Sequence, residues 1–282
     1  MKVKQRTSSR SSIAVAATLL GSVSLAIGAH AALNKLALDT AKAVAIEYSN
    51  SAHPSRVALV IGNGHYPDAN APLTQSINDA RALSSALRQD GFDVEMLEDA
   101  GKNDMVRAVS RLKSKIGPGT VVMLFFGGYG VQAEGKSYML PVDAVIWKES
   151  DVRRQGVSVE SVLELMKEQG ARAKLVVVDA SRRNPYERRF RSYSHGLAPI
   201  GTTDNSLILS SATPGSVTEE AQGDHSVLVA ELLRNLDKPA SAETVFNQTR
   251  VAISRASDGK QVPAVSSSLV EPVSLGSAQA GS

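Results

Sequence analysis

Short, almost wholly apolar runs recur between segments of helical period, and this alternation constrains the fold more than any other feature of the chain. Arg56–Gly62, Thr120–Phe126 and Lys174–Asp179 are rich in Val, Ile, Leu and Phe and end in Gly-Asn, Gly-Gly or a polar turn. Unbroken runs of that length fit strands buried on both faces. Between them, Ile77, Ala80, Leu83 and Leu87 recur at helical spacing, with Ser76 as the expected N-cap and Gly91 as the stop. Met105, Val106, Val109, Leu112 and Ile116 mark a second helix, closed by Gly117-Pro118-Gly119, and Val159, Val162, Leu163 and Met166 a third. Phe92–Leu97 alternates like a strand, Ser137–Pro141 reads as a small side strand, and Ser206–Ser211 as another strand. Val227–Leu236 is apolar nearly all round. Ala242–Ala256 and a run near Val262–Val265 complete the pattern. Strands alternating with helices imply an α/β fold with a mostly parallel central sheet and helices on both faces. Sites in such sheets form at the carboxyl edge of the strands, here after Ile61, Phe126 and Val178.

Charge and composition narrow the function classes. The chain has 282 residues, 31 basic against 28 acidic, a formal charge of +3. Residues 1–31 hold Lys2, Lys4, Arg6 and Arg10 and no acid, which leaves the remainder with 27 basic against 28 acidic residues. No basic face for nucleic acid is implied. There is no cysteine, which excludes disulfides, thiolate metal sites and a cysteine nucleophile. The four cations precede an apolar run from Ile13 to Ile27 and the small residues of Ala29-His30-Ala31, the layout of a secretory signal peptide over 1–31. The expected localisation is exported, periplasmic or extracellular, with no membrane span in the mature chain. The alternative is anchoring by an uncleaved N-terminal helix. Residues 32–55 read as a linker, 56–272 as the folded domain, and 273–282 as a disordered tail.

The three strand ends carry the chemistry. Gly62-Asn63-Gly64-His65-Tyr66-Pro67-Asp68 reads as a turn-rich loop and lacks the third glycine of a dinucleotide site. Phe126-Gly127-Gly128-Tyr129-Gly130 surrounds one aromatic side chain with glycines that free the backbone for close approach. Asp179-Ala180-Ser181-Arg182-Arg183-Asn184-Pro185 places Ser181 at the sheet edge.

Taken in order, these segments resemble the caspase-like peptidases, most closely the bacterial metacaspase-like group. Arg56–Asn63, Asn78-Asp79-Ala80, Gly91-Phe92-Asp93-Val94 and Tyr138–Ala144 are similar to the large-subunit region of that family. Ser210–Gly215 followed by Ser226 resembles the entry to the small subunit. The resemblance covers about 56–236 and implies a caspase-like three-layer sandwich. Phe126–Gly130 stands where the family has Ser-Gly-His-Gly, and Asp179–Arg182 where it has Asp-Ala-Cys-Arg. Tyr129 therefore occupies the position of the family's His, and Ser181 that of its Cys. The resemblance further implies an oxyanion hole built from the N–H groups of Gly130 and Ser181, and a pocket for a basic side chain at Asp179. For Asp179, a plain turn-capping role stands beside the pocket reading.

Both halves of the dyad are thus substituted, and this decides the functional expectation. A thiol with pKa near ~8.5 is partly ionised at neutral pH, whereas a serine hydroxyl depends on an adjacent base. A phenol with pKa about 10 is already protonated and cannot be that base. The Tyr129 hydroxyl is instead expected within hydrogen-bond reach of Ser181, plugging the cleft. The leading reading is an exported pseudopeptidase that binds peptides or proteins with exposed Arg or Lys, or regulates proteolysis. One alternative is an active hydrolase using Ser181 with a relocated base, His65 being the best placed, ahead of His195 and His225. Another is a structural or interaction module of the cell envelope. Arg182, Arg183, Arg188, Arg189 and Arg191 make the loop after Ser181 basic, either as a solvated segment or as an anion-binding patch. The resemblance brings calcium into consideration. Glu149 and Asp151, or Glu219, Glu220 and Asp224, lack the spacing of a calcium loop, so no metal or other cofactor is assigned.

Overall fold

The computed structural model describes residues 53–67, 72–190, 196–218 and 223–276. The expected signal peptide, most of the linker, and His195 and Arg191 lie outside the described residues. The domain that begins at His53 holds a six-stranded sheet. Its strands are β1 (Arg56–Gly62), β2 (Asp93–Glu98), β3 (Val121–Gly127), β7 (Ala173–Asp179), β8 (Ser206–Ser210) and β10 (Ala264–Ser267). Their order is β10-β8-β7-β3-β1-β2. All neighbours run parallel except β10, which pairs antiparallel with β8. The helices are α1 (Thr74–Gln89), α2 (Lys102–Lys115), α3 (Glu149–Gln155), α4 (Val159–Glu168), α5 (Val227–Leu236) and α6 (Ala242–Ala256). Among the described residues, no helix is long and apolar enough to cross a membrane.

Alternation along β1 divides the core into two layers. Ala58 and Val60 face α1, α5 and α6 through residues such as Leu83, Leu232 and Phe246. Val57, Leu59 and Ile61 face α2 and α4 through Met105, Leu112, Val162 and Met166. The three-layer α/β architecture expected from the sequence is therefore the observed one. β3 and β7 are buried along their whole length, as unbroken apolar runs require. β2 is only half-buried because it is the sheet's edge.

Several boundaries differ from expectation. Ser76 does not cap α1: the helix starts at Thr74, and Ser76 sits inside it, fully buried. The loop after β1 causes this, since the Leu73 N–H donates to the Gly64 carbonyl at 2.9 Å and pulls the chain into the helix earlier. A second sheet joins β4 (Gly130–Ala133), β5 (Lys136–Met139) and β6 (Val157–Ser158). Only β5 was legible as a strand. The expected linker ends early, because the Pro54 and Ser55 carbonyls accept from Thr120 Oγ1 and the Val121 N–H. The expected tail begins late. Val273 is buried, and β11 (Ser274–Leu275) pairs with β9 (Ala240–Ser241), so ordered structure runs to Gly276. Residues 277–282 lie outside the described residues.

The end of β1 packs hard against α1. A Cβ added at Gly62 would lie 2.5 Å from the Ser76 carbonyl oxygen and 2.6 Å from Ala80 Cβ. Gly62→Ala is expected to destabilise the domain by about 1–3 kcal/mol, as overpacking does. Gly201 serves as control: a Cβ added there would meet nothing within 4 Å, so Gly201→Ala should be near neutral. Denaturant midpoints at unchanged slope measure both.

Candidate active site

Strand register delivers the site. Ile61 pairs with Phe126 and Phe126 with Val178; Gly62 and Asp179 both flank Gly127. Three tips thus end at one level. Beyond them the β3 and β7 turns run side by side. The Gly128 N–H donates to the Asp179 carbonyl at 3.3 Å, and the Gly130 N–H to the Ala180 carbonyl at 3.1 Å. Tyr129, Gly130, Asp179 and Ser181 are thereby gathered at one edge. Asn63 ties the first loop to the same edge. It is fully buried, its N–H donates to the Gly127 carbonyl, and its amide donates to the Leu140 carbonyl at 3.1 Å.

The hydrogen bond expected between Tyr129 and Ser181 is not made. Ser181 is 1% exposed, and its Oγ has no hydrogen-bond partner. Tyr129 is held elsewhere by Tyr66. The rings meet edge-on, with centroids 4.9 Å apart at 69°. The Tyr129 N–H donates to the Tyr66 hydroxyl at 3.1 Å, and that hydroxyl donates to the Leu140 carbonyl at 2.9 Å. Burial pushes the Tyr66 phenol well above its ordinary pKa, so it stays a protonated strut.

The expected oxyanion-hole donors are also engaged. The Gly130 N–H is spent on Ala180, and the Ser181 N–H points to Ser211 Oγ at 3.4 Å. Contact explains the first: a Cβ at Gly130 would lie 2.6 Å from Leu197 Cδ2 and 2.9 Å from the Ala180 carbonyl oxygen. The Ser181 carbonyl in turn accepts from the Thr218 N–H at 2.7 Å. A hole of this kind works only when its N–H groups face the place where negative charge develops.

His65 does not act on Ser181 in this arrangement. It is exposed, and its Nδ1 lies 2.5 Å from Asp99 Oδ2. Burial raises the Asp99 carboxyl, but the His65 and Gly64 N–H groups and the His65 ring outweigh it and hold it below its ordinary value.

Asp179 is buried and does more than cap a turn. Arg182 NH1 lies 3.6 Å from its Oδ1, and both side chains are nearly inaccessible. The guanidinium also donates to the Gly128 and Asp179 carbonyls. Asp179 Oδ2 has no hydrogen-bond partner. A second carboxylate, Asp79 on α1, completes the acidic centre and was missed as a site residue. It is fully buried and accepts from His225 Nδ1 at 2.9 Å and from the Ser226 N–H at 3.2 Å. Burial, reinforced by the charge of Asp179, pushes its pKa up to about 6. A signal for it existed: Asp79 falls within the buried stripe of Ser76, Ala80 and Leu83, where an unexplained carboxylate marks a site.

Among the described residues, no three His, Asp or Glu side chains gather as for a metal ion. Of the acids considered for calcium, Asp151 is committed elsewhere. It accepts from the Trp147 and Lys148 N–H groups and pairs with Arg154.

Two loops meeting on adjacent parallel strand tips, in this layered sheet, are the layout of a caspase-type peptidase fold. The chain belongs to that family: the caspase domain model of the C14 peptidases matches residues 55–274. The human mucosa-associated lymphoid tissue lymphoma translocation protein 1 is 33% identical over 136 residues, and its Mus musculus homolog matches equally. That stretch is 47% of this chain and only 16% of those relatives.

The Asp79 environment has a pH signature. Its carboxyl binds a proton more tightly folded than unfolded, so ionisation lowers stability as pH rises from about 4 towards 6. The gap between 3.8 and about 6 corresponds to roughly 3 kcal/mol at most. Asp79→Asn should therefore gain thermal stability over the wild type above pH 6, with the difference shrinking towards pH 4. Melting curves across that range check it.

Proposed function

We propose that this caspase-domain chain is a pseudopeptidase that holds a basic side chain of a peptide or protein without cutting the chain. The observation that carries the reading is the buried carboxylate pair of Asp79 and Asp179 at the strand tips. Asp179 Oδ2 and Ser76 Oγ are left without partners beside it. Ser76 lies against Gly127, the register partner of Asp179. Acceptors short of donors next to two carboxylates suit a guanidinium or ammonium group, whose charge-assisted hydrogen bonds are the strong kind. In this reading the incoming cation replaces Arg182 at Asp179.

Inactivity is supported from the other side of the cleft. Tyr129 and Ser181 stand at the positions of the family's His and Cys. The Ser181 hydroxyl has no base within hydrogen-bond reach, and the neighbouring N–H groups are engaged. Losing a coupled nucleophile and base costs a factor of about 10⁶ in turnover in serine peptidases. The reading includes export, supported by the cationic and then apolar first 31 residues. Its biological role would be to sequester basic segments or regulate proteolysis.

Arg- and Lys-ended peptide reporters, with and without calcium, test the proposal beside Ser181→Ala and Asp179→Asn. The wild type should bind uncut peptide and show no turnover. Asp179→Asn should weaken binding about tenfold or more, as losing one partner of a buried charge pair does. Turnover that disappears in Ser181→Ala would overturn the pseudopeptidase reading. Absence of both binding and turnover would point to a cell-envelope module.

A further inference from the structure

The opposite end of the sheet carries a cavity that takes no part in the site above. Three chain segments meet at the amino edge of β7 and β8, where the antiparallel β10 ends. They frame a space of about 410 Å³, the size of a small-ligand site. One wall is 170–173, at the turn from α4 into β7, and the other is 269–271, just past β10. Asn205 stands between them, in the left-handed backbone conformation that Asn tolerates. Its carbonyl accepts from the Lys174 N–H at 2.9 Å, and its Oδ1 from the Val270 N–H at 3.1 Å, so both walls are tied to it. Ala171, Ala173 and Val273 are buried and give the space an apolar floor.

The charges select the ligand. Arg172 lines one wall and Glu271 the other. Both are exposed, and neither has an ion pair or a side-chain hydrogen bond among the described residues. A cation and an anion without partners, on opposite sides of an apolar floor, suit a ligand with both charges and an apolar body. Strand order sets the span. β7, β8 and β10 are neighbours, so the walls stand two strand spacings apart, roughly 9–10 Å. Two extended residues span about 7 Å, which brings the ends of a dipeptide within reach of both side chains. We infer that this cavity binds a short peptide with free ends, about two residues long, with small aliphatic side chains. Its carboxylate meets the Arg172 guanidinium, its ammonium group meets Glu271, and its side chains lie on the alanine and valine floor. The inference stands apart from the proposed function, because the cavity lies at the other edge of the sheet from Gly127 and Asp179.

Calorimetric titration of the full chain with alanyl-leucine tests it. Saturable binding of about millimolar strength, weakened by salt, is expected. Amidating the carboxyl end of the dipeptide, or acetylating its amino end, should each weaken binding about fivefold, the scale of one exposed ion pair. Arg172→Gln should weaken the free dipeptide by the same factor and erase the difference between acid and amide, while the effect of acetylation remains. Glu271→Gln should do the converse. A merely structural role for either side chain would not switch off selectivity for one end alone. Thermal melting checks that both variants fold, and Asp179→Asn should leave dipeptide binding unchanged. No saturable binding would overturn the inference. Equal binding of the doubly blocked dipeptide would do so as well, since the cavity would then be an apolar crevice only. Selectivity for both ends that survives in both variants would place the dipeptide elsewhere and sink the assignment.

Discussion

The register of three parallel strands governs this molecule. β1, β3 and β7 are locked so that Gly62, Gly127 and Asp179 end together. Both faces of these strands are buried, so a slip of one residue would exchange the inner and outer side chains of each strand. The apolar layers on the two faces fix the register, and the register fixes the strand tips. The loop beyond each tip is then forced into one small volume, whatever its side chains are. The glycines at the tips permit that convergence, as at Gly128, where a Cβ would lie 2.6 Å from the Tyr66 hydroxyl.

Into that volume the chain places charges. Asp79 and Asp179 are both buried, with Arg182 against one and His225 against the other. Desolvating such groups is costly, and a pair of similar volume made of apolar residues would often be as stable. The raised pKa of Asp79 has the same origin: its hydrogen bonds from Ser226 and His225 do not offset burial and the neighbouring carboxylate. In the proposed reading, a bound cation would offset that cost. The segment around residues 223–226 is anchored to α1 as well, through Gln75 and Asn78, which donate to the Gly223 and Asp224 carbonyls.

The sheet was legible in the sequence because its strands bury both faces and so read as unbroken apolar runs. The helices on either side were legible because each presents a single apolar stripe. Elements whose signal is only local pairing escaped: β4 and β6 are short, and β9 and β11 stabilise each other across the whole of α6 and β10. Ser76 looked like a cap because Ser is a good one, but tertiary contact at Gly62 and Gly64 set the helix start instead. The site was half legible. The neighbourhood of Tyr129, Gly130, Asp179 and Ser181 follows from strand order. The orientation of each group does not, because it is decided by partners distant in sequence, such as Tyr66, Ser211 and Thr218.

Those distant partners also explain why Tyr129 and Ser181 do not engage each other. Tyr129 packs against the buried apolar cluster that includes Tyr66, Val131, Tyr138 and Leu140. Ser181 is drawn towards the β8 end by Ser211, and its carbonyl is taken by Thr218. The Tyr129 ring gains more against Tyr66, since edge-on ring contact adds to apolar burial. Two separable features bear on the proposed inactivity. One is chemical, an alcohol with no base; the other is geometric, a backbone whose N–H groups are committed to neighbouring acceptors. Placing imidazole and thiol at the two positions would change the first feature and leave the second, because the Gly130 and Ser181 N–H groups would still face Ala180 and Ser211.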